Sequence, residues 1–156
     1  MATELRPMAE AQGLRFCLVA SRFNEDYVRR MVDAALGVLE GRGAAAADLE
    51  VIWVPGSFEL PLGCRWAARS GRFDAILAFG VVIRGETEHF RLVAEGATEG
   101  LLRVALETGV PVLNGVLAAG EAGQVAARTG GERGNRGAEV ALAAVEMAWL
   151  RRRMEA

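Results

Sequence analysis

The sequence predicts an α/β fold, a three-layer α/β/α sandwich around a central sheet of four parallel strands. Three observations carry that expectation. Four short apolar runs, 15–20 (RFCLVA), 50–54 (EVIWV), 75–83 (AILAFGVVI) and 110–117 (VPVLNGVL), are mostly continuous, which is how strands covered on both faces read. Longer stretches of helical period separate them. Strand–helix alternation of that kind places a parallel sheet between two helical layers.

The elements follow in order. After the first run, Asn24 stands as N-cap of a helix in which Val28, Met31, Val32, Ala35, Leu36 and Leu39 recur at helical spacing. After the second, Ser57 can open a shorter helix that Gly71 closes, with Pro61 tolerated in its first turn. The third run leads to a stripe of Phe90, Val93, Ala94, Ala97, Leu101, Val104 and Ala105, ended by Gly109. A last helix, 135–153, carries a narrow seam of Ala141, Ala144, Val145 and Ala148, whose small side chains allow close helix approach. The glycine-rich stretch 130–137 (GGERGNRG) reads as a flexible connection. No internal repeat or second domain is visible, and the 156 residues form one domain long enough to bury a core.

Composition narrows the function. Hydrophobic residues make up 52% of the chain and the mean hydropathy is +0.20. Both are high for a small monomer and point to subunit contacts that bury apolar surface, with the small-residue seam as one such surface. A net charge of −2 argues against a nucleic-acid partner. All 18 basic residues are arginine. The absence of lysine excludes an enzyme-bound Schiff base, a pyridoxal-phosphate lysine and a Walker P-loop. The first strand runs into SRFNED without the glycines of a dinucleotide fingerprint, which argues against a Rossmann dehydrogenase. Cys17 and Cys64 lack a C-x-x-C pattern and read as buried thiols in a reducing compartment. One histidine and two scattered cysteines do not make a structural zinc site. Residues 1–13 lack the apolar core of a signal peptide, and no apolar run approaches the ~18 residues of a membrane span. The expectation is a cytoplasmic protein with no membrane partner.

In such sheets ligands bind beyond the carboxyl ends of the strands. Those ends are Ser21–Asn24, Pro55–Glu59, Arg84–His89 and Ala118–Gly120. His89, the lone histidine, follows Gly85, Glu86 and Thr87 at the start of a helix. It can be structural, or it can be a base placed where free backbone N–H groups attract anions. Phe23, flanked by Arg22 and Asn24, can stack on a flat heterocycle or staple the next helix. Glu59 can complement a helix dipole or accept hydrogen bonds from substrate hydroxyls. Arg128 and Arg136 border the glycine stretch and are either solvated charges or phosphate ligands.

The segments SRFN, VPGSFELP, GVVIRGETEHF, PVLNGVL and GNRGAE stand in the order and at the spacing seen in lumazine synthases. The chain resembles that family from about Phe16 to Leu150. The resemblance implies a flavodoxin-like fold and, with no cofactor, the condensation of a ribitylamino-pyrimidine with a four-carbon keto-phosphate in riboflavin synthesis. Phe23 matches the aromatic that stacks on the pyrimidine. Ser57, Phe58 and Glu59 match the turn that holds the pyrimidine edge and ribityl chain, and Val81, Val82 and Ile83 the strand end lining that pocket. Gly85, Glu86 and Thr87 match the phosphate-binding loop, His89 the acid/base histidine, and Arg128 a phosphate ligand contributed by a neighbouring subunit. Arg136 stands where many members have lysine. Asn114 takes the place of a common phenylalanine against the substrate, Ala118-Ala119 that of a Thr-Thr pair, and Arg91-Leu92 that of an acidic–aromatic pair after the histidine. The last change removes a carboxylate that could orient the imidazole.

The resemblance further implies a homopentamer with shared active sites, allows an icosahedral capsid of sixty subunits, and gives riboflavin synthase as a partner. Residues 1–13 would form an arm packing on a neighbouring subunit. The alternative on the same scaffold is a non-catalytic flavin- or lumazine-binding or cage-forming protein.

Overall fold

In the computed structural model, which describes residues 1–155, four strands form one parallel sheet in the order β2-β1-β3-β4. They are β1 (Phe16–Ser21), β2 (Leu49–Val54), β3 (Ala75–Ile83) and β4 (Val112–Ala119). The helices between them are α1 (Glu25–Gly41), α2 (Leu60–Arg69), α3 (His89–Thr108), α4 (Ala122–Arg128) and α5 (Arg136–Glu155). Helices α1 and α5 cover one face, and α2 and α3 the other. This is the predicted three-layer sandwich.

Alternation of side chains along the central strands divides the core in two. Phe16, Leu18 and Ala20 of β1, with Leu77 and Phe79 of β3, meet Val28, Met31, Ala35 and Leu39 of α1 and Val140, Ala144 and Ala148 of α5. Cys17 and Val19, with Ile76 and Ala78, meet Leu60 and Cys64 of α2 and Leu101 and Val104 of α3. Strand β1 is buried along its length and β3 up to Val82. The edge strands β2 and β4 are only partly covered, so the expectation of strands covered on both faces holds at the centre alone.

Several boundaries differ from the sequence expectation, each for a physical reason. The fourth strand runs two residues later than 110–117. Pro111 has no N–H to give the ladder, and Ala118 and Ala119 continue it opposite Val82 and Ile83. The helix expected from Ser57 opens instead as a 3₁₀ turn, Ser57–Glu59, before α2. Helix α4 was not anticipated. The stretch expected to be a flexible connection is a small antiparallel hairpin, β5 (Thr129–Gly131) with β6 (Gly134–Asn135). Its bonds are local: Arg133 N–H donates to Ala127 O at 2.7 Å, and the Thr129 hydroxyl to Val125 O at 3.0 Å. Asn135 then caps α5, its Oδ1 accepting from the Gly137 N–H at 2.7 Å.

The small-residue seam of α5 is not free for a neighbouring subunit. Ala141, Ala144, Val145 and Ala148 are fully buried within the same chain, where α5 packs on α1 and the sheet. The other end of α5 is tied down by Arg152, which donates to both oxygens of the buried Asp74 carboxylate at 3.2 and 3.1 Å; Asp74 also accepts the Arg15 N–H at 2.7 Å.

Helix α5 runs close against α1 at Gly137, where a Cβ would collide with the Met31 carbonyl. That obstacle is backbone and has no rotamer of escape. Gly137→Ala should therefore lower the unfolding free energy by at least ~2 kcal/mol. Gly37→Ala, on the exposed face of α1 with no atom within 4 Å, should raise it by up to ~1 kcal/mol. Urea denaturation of the two variants checks this; equal effects would show that the Gly137 contact relaxes freely.

Candidate active site

The strand ends build the site. Beyond β1, the Arg22 N–H donates to Val54 O at 2.8 Å, prolonging the pairing with β2 by one residue. Asn24 then turns the chain in the left-handed region (φ 60°), the only described non-glycine residue with positive φ. Asparagine tolerates this conformation. Its side chain does not cap α1. Instead its Nδ2 donates to Val81 O at 2.9 Å and ties the β1–α1 turn to the end of β3. Phe23 is thereby held beside β3 and is 70% exposed. A staple would bury it against Val28, so the stapling alternative fails.

Beyond β2, the chain folds back over the sheet. The Glu59 N–H donates to Gly56 O at 3.2 Å, closing the 3₁₀ turn. Ser57 is buried, and its Oγ fills the space where Gly80 of β3 lacks a side chain; a Cβ there would collide with it. The hydroxyls of Ser57 and Ser21 are buried with no hydrogen-bond partner among the described residues. Glu59 occupies the N-cap position of α2, yet its carboxylate makes no cap bond. It is exposed and available to an incoming hydroxyl.

Beyond β3, the Arg84 N–H donates to Ala119 O at 2.9 Å, and a loop leads to His89, the first residue of α3. The His89 N–H donates to Thr87 Oγ1 at 3.3 Å. The imidazole is exposed, at the end of α3 where free N–H groups gather.

These segments enclose a cavity of about 650 Å³ lined by Phe23, Ser57, Phe58, Glu59, Val81, Val82, Ile83, Gly85, Thr87 and His89, a size suited to a small organic ligand. Arg128 and Arg136 lie elsewhere. They line a second cleft of about 630 Å³ along β4, with Val116–Ala119, Gln124 and Arg133. Arg136 pairs there with Glu139 at 3.0 Å and donates to Asn114 O at 3.5 Å. Glu86 and Asn114 line neither cavity; Asn114 is exposed on β4, its Oδ1 accepting from the Val116 N–H at 2.9 Å. One chain thus separates its histidine from its candidate phosphate arginines.

Phe90, Leu92 and Val93, which also line the first cavity, were missed by sequence reasoning, and Gly56, inside a strand end it named, was given no role of its own. Phe90 and Val93 fit the helical stripe and were taken up by it. Their signal was proximity to His89: the first turn of α3 opens towards the ligand space before the helix reaches the core. Arg91, in place of an orienting carboxylate, pairs with Glu88 and Glu95 at 3.7 Å each. Among the described residues no three His, Cys, Asp or Glu side chains cluster to hold a metal, and no helix is long and apolar enough to cross a membrane.

A family model for 6,7-dimethyl-8-ribityllumazine synthase matches residues 13–152. The chain belongs to that family. It is 47% identical to the 6,7-dimethyl-8-ribityllumazine synthase of Halorhodospira halophila over 93% of both chains, and 43% identical to that of Salinibacter ruber over 99% of both. A relative in Arabidopsis thaliana, named as the chloroplastic enzyme, is 42% identical over 92% of this chain and 63% of its own length.

The two thiols of this lumazine synthase family member stand apart from the cavity. Both are free and buried. Burial, helped by Glu50 and opposed by Arg72, pushes the Cys17 thiol up to about 12; burial, with Cys17 beside it, pushes Cys64 up as well. A thiol that ionises near 8.5 in the unfolded chain and stays protonated in the fold favours the fold below 8.5, and this stability is lost as pH rises. Between pH 8 and 10 unfolding should become easier by roughly 2 kcal/mol per thiol. Both thiols should resist aromatic disulfide reagents until the chain unfolds. A thiol titrating rapidly in the native protein at pH 8 would contradict this.

Proposed function

We propose that the chain condenses 5-amino-6-(D-ribitylamino)uracil with 3,4-dihydroxy-2-butanone 4-phosphate to give 6,7-dimethyl-8-ribityllumazine, phosphate and water, in riboflavin biosynthesis. The observation that carries this is the convergence of an exposed aromatic, an unbonded carboxylate, a glycine-containing loop and the lone histidine on one cavity. Family membership and the names of the relatives support it. The non-catalytic alternative needs only Phe23 and Glu59, whereas this chain also keeps Gly85, Thr87, His89 and Arg128.

In this proposal Phe23 stacks on the pyrimidine. The Ser57–Glu59 turn holds its edge and the ribityl chain, with the Glu59 carboxylate accepting from hydroxyls. Val81, Val82 and Ile83 form the apolar wall, and Asn114 presents a polar contact from β4. Backbone amides of Gly85, Glu86 and Thr87 take the phosphate with Arg128, whose fork suits it, and Arg136 adds charge. The imine forms between the two substrates themselves, in keeping with a chain without lysine. Juxtaposition contributes up to ~7–11 kcal/mol. His89 moves protons for the amine and the closing ring, a contribution of roughly 10²–10⁴-fold.

We further propose a cytoplasmic homo-oligomer, a ring of five single-domain subunits with each site shared between neighbours, and riboflavin synthase as the partner that consumes the product. The separation of His89 from Arg128 into two clefts supports the shared site. So do exposed apolar residues on the outer helices, among them Trp66 (67%) and Leu106 (77%). The arm, residues 1–13, has no regular secondary structure and is mostly exposed up to residue 10, which leaves it free to pack on a neighbour. A sixty-subunit shell built from twelve rings is the larger assembly of this reading.

Two experiments test the site. Incubating the protein with both substrates and following lumazine absorbance should show turnover, and His89→Ala should slow it by no more than about 10⁴-fold, leaving measurable activity. Complete loss in a folded, substrate-binding variant would show that proton transfer, and not juxtaposition, carries most of the rate. Next, His89→Ala and Arg128→Ala chains are unfolded, mixed and reassembled. If sites are shared head to tail, about a quarter should combine His89 of one chain with Arg128 of the next. Activity should exceed that of either parent; a mixture no better than the parents' mean would place both residues in one chain's site.

A further inference from the structure

Two glycines on α3 lie against the turn that lines the cavity. A Cβ added at Gly96 would stand 2.8 Å from Phe58 Cε1 and 3.4 Å from its Cδ1. One turn further along, a Cβ at Gly100 would stand 2.6 Å from Pro61 Cγ and 2.8 Å from its Cβ. The Phe58 ring and the Pro61 ring thus rest directly on the α3 backbone, in a notch that only glycines leave open. The 3₁₀ turn and α2 ride on α3 through this contact. His89 opens the same helix two turns before Gly96, on the same face.

We propose that Gly96 is a positioning residue for the reaction: by seating the Phe58 ring it sets the distance between the Ser57–Glu59 turn and the histidine end of α3, and so the width of the pyrimidine pocket. This rests on the reading of the cavity as the condensation site. Phe58 remains 62% exposed while lining that cavity. Within its own chain, among the described residues, the contact that holds the ring is the notch beneath it. Two-substrate condensation by juxtaposition is sensitive to such placement, because a displacement near 1 Å can cost about a hundredfold. The two glycines also differ in kind. At Gly96 the obstacle is the far end of a rotatable side chain, so a methyl group there displaces Phe58 while the fold survives. At Gly100 the obstacle is a proline ring fixed to its backbone, so a methyl group there forces the helices apart.

The test is a cycle of Gly96→Ala, Phe58→Ala and the double variant, each assayed for lumazine formation and melted at one protein concentration. Gly96→Ala should raise KM for the pyrimidine roughly tenfold and leave KM for the keto-phosphate within about twofold. In the Phe58→Ala background it should change neither. The melts carry a signature independent of activity. With Phe58 removed, Gly96→Ala gains helix propensity with no obstacle and should raise the melting temperature by about 3 °C; with Phe58 present it should not. An unchanged pyrimidine KM, an effect equal in both backgrounds, or a rise in melting temperature in both would each overturn the proposal. If Gly96→Ala alone fails to fold, folding of the double variant supports the seat, and its failure overturns it. A wild-type protein that makes no lumazine would remove the functional reading, and the melts would still decide whether Phe58 rests on Gly96.

Discussion

The parallel pairing of β1 with β3 is the constraint on which the rest depends. These two strands lie at the centre of the sheet, buried between helices almost from end to end. Neither can shift by a residue without moving its apolar set to the opposite layer. Their register, Phe16 opposite Ala75 through Ala20 opposite Phe79, brings both carboxyl ends to one edge of the sheet. Once that holds, the turns after them must meet. The Asn24 bond to Val81 O joins the two at the one place where the first turn needs a left-handed residue. Phe23 faces the cavity because Asn24 is held there.

On the α2 and α3 side, small residues set how closely the layers approach. Gly80 leaves room for the Ser57 side chain to lie flat on the sheet, which brings the whole 57–59 turn down over the end of β3. The site gains its shape from backbone proximity, with few hydrogen bonds: among the described residues the Ser57 and Ser21 hydroxyls are buried without partners, and the Glu59 carboxylate is free of cap bonds. A buried hydroxyl without a partner costs on the order of 1–3 kcal/mol. The fold carries that cost next to its candidate site, where the exposed Glu59 carboxylate is the polar group available to a ligand.

The fold class was legible because its signals are local and strong. Continuous apolar runs can only be central strands or buried helix, and their length and spacing decided between these. The position of Gly109, in the left-handed region with φ 72°, ended α3 as expected. What was not legible depended on partners distant in sequence. Nothing around 122–128 has a long apolar stripe, since α4 buries only Val125. The glycines of 130–137 gave no local sign that Ala127 O and Arg30 O would fasten the hairpin. The α5 seam was correctly read as a close-packing surface and wrongly given to another subunit, because small residues say how near a helix comes and not which helix it is. The site residues carried by motifs at strand ends came together in one cavity. Glu86, within the third strand end, and Asn114, Arg128 and Arg136, outside the strand ends, did not; of these only Arg128 was expected to act from a neighbouring subunit.

That separation constrains how copies of the chain could complete one another. The first cavity is built from the ends of β1, β2 and β3 and the start of α3, and it is lined mainly by apolar groups with one histidine and one carboxylate. The second, along β4, α4 and α5, offers arginines. A doubly charged phosphate held only by amides in the first would meet no arginine in its lining; one held only by arginines in the second would meet no aromatic or imidazole there. If a single ligand is to meet both, the surface carrying one cleft must face the surface carrying the other. Those surfaces are different patches of the same chain, so each copy must present one cleft to the other cleft of a neighbour, reciprocally in a two-fold dimer or head to tail in a ring. Head-to-tail contacts either close into a ring or run on as a filament, and the angle between the two clefts on each subunit decides which. The division of charge within one chain is thus an argument for a site completed by a second copy, independent of any apolar surface left to cover.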